Sequence, residues 1–164
     1  MLQKFKEFII DYIYNISKQP VKLNKLLEAN ALFNEGMKLD GVKLGFRIKL
    51  AKAYMVFLLL SHIIIIPIAF IAHEIFKNVD CHASIVLAIF FTALLFGIFN
   101  FFKEWTRDCV TEKRIKHMWS LHFPHFPFEE FSKDVAKLYE EALKEDIKHT
   151  DMQMYILDKL SENR

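Results

Sequence analysis

At 164 residues the chain has room for one small domain besides any membrane anchor. Its formal charge of +2 is too small for a nucleic-acid binder, and its basic residues sit beside apolar runs with no aromatic stacking platform, so no nucleic acid is expected as a partner. A hydrophobic content of 53% with 17 Phe but only four Gly and four Pro favours long helices, because both helix breakers are scarce.

The first residues carry Lys4, Lys6, Glu7 and Asp11 inside an apolar pattern, unlike the uninterrupted hydrophobic centre of a secretory signal, so the segment is expected to be retained. Leu2, Phe5, Ile9, Tyr12, Ile13 and Ile16 fall on one helical stripe and predict an amphipathic helix over 2–17. Pro20 closes it or opens the next helix, expected over 21–35 with Gly36 as its stop. From Val42 to Leu50 apolar residues alternate with Lys43, Gly45, Arg47 and Lys49, a period-two signal for a strand. Because no breaker follows Gly45, the segment is read as a helix entering the headgroup layer, with a short strand as the competing reading.

Two apolar runs follow, at 53–73 and 83–102, and each is long enough to cross a hydrocarbon core that takes about 20 residues of helix. Pro67 leaves the Ile63 carbonyl without its helical donor and predicts a bend. No breaker ends the second run, which predicts a helix continuing as a stalk to about Trp119. The tandem His-Phe-Pro at 122–127 predicts a corner, packed against the N-terminal amphipathic helix or exposed as a docking motif. Beyond it, Phe128, Phe131, Val135, Leu138 and Ala142 mark one amphipathic helix, and Met152, Ile156 and Leu160 mark a last one.

The expected fold is therefore an all-α membrane protein, a two-span transmembrane helical hairpin with amphipathic cytoplasmic helices on both sides. Its expected parts are 1–42, 43–103 and 104–164. Orientation follows from Lys and Arg near the spans. Lys43, Arg47, Lys49 and Lys52 precede the first, Lys103, Arg107, Lys113, Arg114 and Lys116 follow the second, and the connector has only Lys77. Both termini are expected in the cytoplasm, and the excess of Lys over Arg with abundant Ile and Phe fits an AT-rich bacterium and its inner membrane. Insertion of both spans separates Cys81 from Cys109 by the bilayer, which rules out an intrachain disulfide.

Membrane helices associate through small residues. At equal depth Ala72 falls near Ser84, Ala69 near Ala88, Ile65 near Thr92 and Ser61 near Leu95, and the faces holding Ser61, Ala69 and Ala72 and holding Ser84, Ala88 and Thr92 are the expected internal seam. A second stripe, Ala93, Gly97, Asn100 and Glu104, points away from it and is the candidate interface for another integral membrane protein or a second copy. His62 lies near the midplane, where an ionisable group is a functional suspect, although a neutral imidazole bonded to Thr92 or to the carbonyl freed by Pro67 explains it more simply. His73, Glu74, Asp80, Cys81 and His82 are conceivable metal ligands, but their spacing matches no structural zinc pattern, and neither metal nor cofactor is expected. No nucleophile has a recognisable partner and no Gly-rich phosphate loop occurs, so no catalytic residue and no enzyme activity are expected. Membrane lipid is an expected partner. The expected function is a small membrane subunit, scaffold or assembly and stability factor of a larger complex. A homo-oligomeric channel or transporter subunit ranks second, and a metal or haem protein built on His62 or the connector histidines ranks third.

Overall fold

The computed structural model describes residues 2–75 and 81–162, with side chains described at 3–71, 83 and 85–162. In chain order the elements are α1 (Leu2–Ile13), β1 (Tyr14–Ile16), α2 (Leu23–Asn34), β2 (Phe46–Ile48), α3 (Leu50–Ile75), α4 (Cys81–His122), α5 (Phe128–Lys144) and α6 (Met152–Glu162). Among the described residues, regular structure is thus helical apart from one short pairing of β1 with β2.

That pairing corrects the reading of 42–50 as a helix entering the membrane. Gly45 takes φ +77°, a left-handed conformation that a right-handed helix cannot contain and that favours glycine. Its carbonyl accepts the Ser17 amide at 2.7 Å, while the Lys49 amide donates to the Ile13 carbonyl at 2.7 Å. Residue numbers therefore run in opposite senses along the pair, and Leu44 and Phe46 are buried while Lys43, Arg47 and Ile48 are exposed. The alternation was a strand signal after all. The same pairing shortens the first helix, which stops at Ile13 so that Tyr14, Asn15 and Ile16 can supply the partner strand.

α2 ends where expected. Gly36 sits at φ +70°, its amide bonding to the Phe33 carbonyl while the Met37 amide reaches the Leu32 carbonyl, so two carbonyls at the helix end are satisfied. α3 runs through Pro67. α4 continues past Trp119 to His122, as the absence of a breaker predicted. α5 and α6 also fall where their apolar spacing placed them.

Contacts divide the chain into two units, 1–15 with 48–108 and 16–47 with 109–164. In the first, α1 packs on α3. Among the described residues, Ile9, Ile10, Ile13, Tyr14, Ala53, Phe57, Phe99 and Thr106 are its buried ones. The Tyr14 phenol lies 3.2 Å from the Thr106 hydroxyl, and because that hydroxyl gives its own proton to the Lys103 carbonyl, the phenol is the donor. Aromatic rings join α3 to α4: Tyr54 meets Phe99 edge-on at 4.7 Å, and Phe57 lies 5.2 Å from Phe99 and 5.6 Å from Phe102.

In the second unit α5 packs against both α2 and α6. Leu27 and Ala31 of α2, Trp119 of α4, Phe123, Val135 and Ala142, and Met152, Ile156 and Leu160 of α6 close one apolar core. Asn30 is fully buried, and its amide donates to the Ser132 carbonyl at 2.7 Å, tying α2 to α5 through a polar bond that burial makes costly to lose. The His-Phe-Pro corner is a packed corner, set on the segment before α2. Trp119 Nε1 donates to the Phe126 carbonyl at 2.7 Å, His122 Nε2 donates to the Val21 carbonyl at 3.0 Å, and the Phe123 ring is buried. Because a carbonyl only accepts, His122 carries a proton on Nε2.

Candidate functional site

α3 and α4 each contain a stretch long and apolar enough to cross a membrane, over 50–71 and 85–122, and only 6% of the most hydrophobic window of each is buried. The exposure matters more than the length. A core helix of a water-soluble domain hides its apolar side, whereas Ile63, Phe70, Ile85, Val86, Phe90 and Phe101 are all at least 60% exposed.

On α4 the residues Ile85, Ala88, Ile89, Thr92, Ala93 and Phe96 line a shallow apolar groove. Ala88, Thr92 and Ala93 are its small side chains, with longer ones beside them, so a neighbouring helix backbone can approach closely there. Ala93 is one end of the stripe expected to meet a partner. Gly97 and Asn100 of that stripe are exposed, and Glu104 is half-buried. Among the described residues nothing lies within 4 Å of where a side chain at Gly97 would begin, so no described neighbour needs a glycine there.

Of the expected internal seam, Ser61 is half-buried and Ala69, Ala88 and Thr92 are exposed, while Ala72 and Ser84 lie outside the described side chains. The Thr92 hydroxyl donates to the Ala88 carbonyl of its own helix at 2.8 Å. His62 is exposed, and its Nδ1 lies 2.7 Å from the Leu58 carbonyl one turn earlier. The expectation that Thr92 or the Ile63 carbonyl would hold the imidazole is corrected: the backbone acceptor at i−4 takes it within the same helix. His73, Glu74, Asp80, Cys81 and His82 also lie outside the described side chains. Among the described residues no three His, Cys, Asp or Glu side chains stand close enough to share a metal ion. His117 and His125 are both exposed, and His122 is committed to Val21.

Two polar assemblies escaped the sequence reading, which counted their cations only for orientation. Arg114 is 4% exposed, and it donates from Nε to the Leu44 carbonyl at 3.0 Å and from Nη2 to the Gln19 carbonyl at 2.6 Å. Burial pushes its pKa down, yet a guanidinium stays charged. A cation within the buried stripe Val110, Ile115, Met118 and Trp119 was the available signal. Lys116 lies 3.0 Å from both Glu112 and Glu129, which raises its pKa through the hydrogen bonds to Glu129 and Glu112 and lowers that of Glu129 in return. The Arg114 assembly ties buried backbone of the second unit together, whereas the Lys116 pairs are open to solvent and screened by it, and among the described residues no buried side-chain nitrogen or oxygen lacks a partner. Compared with known protein families, curated proteins and solved structures, the chain matches none.

Proposed function

We propose that the protein is a small integral membrane subunit, a scaffold or assembly and stability factor of a larger membrane complex. In this reading α3 and α4 form a two-span hairpin in a bacterial inner membrane with both termini in the cytoplasm. The observation that carries it is the exposed surface of α4, with the small side chains Ala88, Thr92 and Ala93 in a shallow groove and Gly97 exposed one turn beyond Ala93. Such a surface lets a second transmembrane helix approach its backbone, and the described chain leaves it exposed. Orientation rests on the Lys and Arg residues gathered around the start of α3 and after Phe102.

Extraction in mild detergent followed by mass spectrometry tests the role. A larger membrane protein recovered in stoichiometric amount, and lost with Gly97→Leu, is the expected result. A closed ring of this chain alone, or a chain that purifies without any companion, overturns it. Since nothing described in the chain touches the Gly97 position, a loss of association reports on the partner and not on folding.

A further inference from the structure

We propose that α1 lies along the headgroup layer with Phe5, Phe8 and Tyr12 sunk among phospholipid chains, so that an interfacial helix grips the membrane beside the spans. The inference rests on the membrane reading above and adds a second lipid contact to it.

α1 carries a wider apolar arc than the protein covers. Ile9, Ile10 and Ile13 are buried, but Phe5 is 52% exposed, Phe8 68% and Tyr12 38%. At about 100° per residue these three aromatics share one flank of Ile9, while Lys4, Glu7 and Asp11 occupy the far side. The Phe8 and Tyr12 rings stack at 6.3 Å, which presents one continuous aromatic surface. A helix with one side packed, a second side aromatic and exposed, and a third side charged has the three environments that an interface offers.

Position along the span argues for lipid as the occupant. The Ile13 carbonyl takes the Lys49 amide, and the Lys52 ammonium lies 4.5 Å from the Tyr12 ring centroid. The C-terminal end of α1 is thereby fixed at the first turns of α3, where exposed apolar surface begins with Leu50 and Met55. Tyr12 is held beside Lys52 at that end of α3, and Phe8 stacks on Tyr12. Lys52 holds its ammonium over the Tyr12 ring at the edge of the apolar run, a cation–ring pairing that suits the headgroup boundary. With Lys4 and Lys49 it supplies cations at the rim for phospholipid headgroups.

Spin labelling of the full chain in nanodiscs of mixed zwitterionic and anionic phospholipid tests this, in a Cys81→Ser, Cys109→Ala background. Single labels are placed by Phe8→Cys and Phe5→Cys on the aromatic side, Lys4→Cys on the charged side and Phe70→Cys on α3. Labels at Phe5 and Phe8 are expected to collide with oxygen more often than with a water-soluble nickel chelate, at a shallower depth than the Phe70 label, and the Lys4 label is expected to show the reverse preference. If the Phe70 label is in lipid but the Phe5 and Phe8 labels prefer the nickel chelate, the inference falls and the membrane reading stands. It falls equally if those two labels are shielded from both reagents, the sign of a second protein surface over them. A Phe70 label that prefers the chelate overturns the membrane reading itself.

Discussion

Arg114 provides the sharpest test of what holds the second unit together. Arg114→Met keeps the apolar stem and removes two charge-assisted hydrogen bonds, to the Leu44 and Gln19 carbonyls. Each bond from a charged donor is worth about 1.5–3 kcal/mol, but the two acceptors differ in what they can do afterwards. Gln19 is exposed, so water replaces the lost donor there, whereas Leu44 is 1% exposed and its carbonyl is left with no easy substitute. Relief from burying a cation offsets part of the loss, because apolar replacements of buried ions are sometimes neutral. The net cost should be about 2 kcal/mol, which in a unit of this size lowers Tm by on the order of 10 °C. Cys109 supplies the assay, since its free thiol is 8% exposed and reacts with a maleimide dye once the unit opens. Melts of the detergent-solubilised Cys81→Ser chain should therefore show wild-type Arg114 highest, Arg114→Met lowest and Arg114→Lys in between, because an ammonium lacks the planar fork that reaches two carbonyls at once. An Arg114→Met protein that melts at or above the wild-type temperature refutes the argument that these carbonyls depend on the guanidinium.

The same melt checks four further substitutions. Gly45→Ala forces a side chain into φ +77° and sets its Cβ 3.2 Å from the Ser17 Cβ, so it should cost about 1–2 kcal/mol, and an unchanged Tm would contradict the strand pairing there. Asn30→Ala removes the nearer of two donors to the Ser132 carbonyl and should cost about 1–3 kcal/mol. The Asn34 amide, 3.4 Å from the same carbonyl, is the reserve donor, so Asn34→Ala added to it should deepen the loss beyond the sum of the two single effects, and strict additivity would count against a shared acceptor. For Glu129 the sign follows from the Lys116 ammonium, which holds the carboxyl below its ordinary value. The ion pair then contributes fully above the ordinary Glu range and is lost as pH falls through the lowered value. Wild type and Glu129→Gln should differ at neutral pH and converge in acid; a gap independent of pH would exclude the pair as its source.

The sequence was most legible where a helix carried its own period. α5 and α6 could be placed from Val135, Leu138 and Ala142 and from Met152, Ile156 and Leu160, all of which turn inward. The end of α2 was legible because Gly36 favours the left-handed turn that closes it. β2 was not, since a three-residue strand is stabilised by its partner and the partner, Tyr14–Ile16, carried the tail of a helical stripe. Each half looked helical or ambiguous alone, and only their pairing across the whole of α2 decides. The Arg114 cradle was hidden for a related reason. Both acceptors are backbone carbonyls, which have no residue identity and leave no mark in the sequence, so only the cation on an otherwise buried stripe could announce it.

Along α4 the pattern of exposure changes within one unbroken helix. From Ile85 to Ile98 nearly every side chain is apolar and exposed, on all sides of the helix. From Thr106 onward burial becomes one-sided, with Thr106, Val110, Arg114 and Met118 facing inward and Lys113, Lys116 and His117 turned outward or part-way so. The change falls between Phe99 and Arg107, where Phe99, Phe102 and Trp105 give way to alternating charges. A helix that is apolar all round gains nothing from water, and one with a single apolar side needs a protein core to face. Helix propensity carries the backbone across the boundary without a break, because that stretch contains no proline and no glycine after Gly97. Secondary structure therefore says nothing about where the surroundings change, and the side chains alone record it. On the membrane reading proposed above, the aromatic band at 99–105, with the Lys103 ammonium 5.3 Å from the centroid of the Phe99 ring, has the composition that suits the headgroup layer, which rings and lysine stems share.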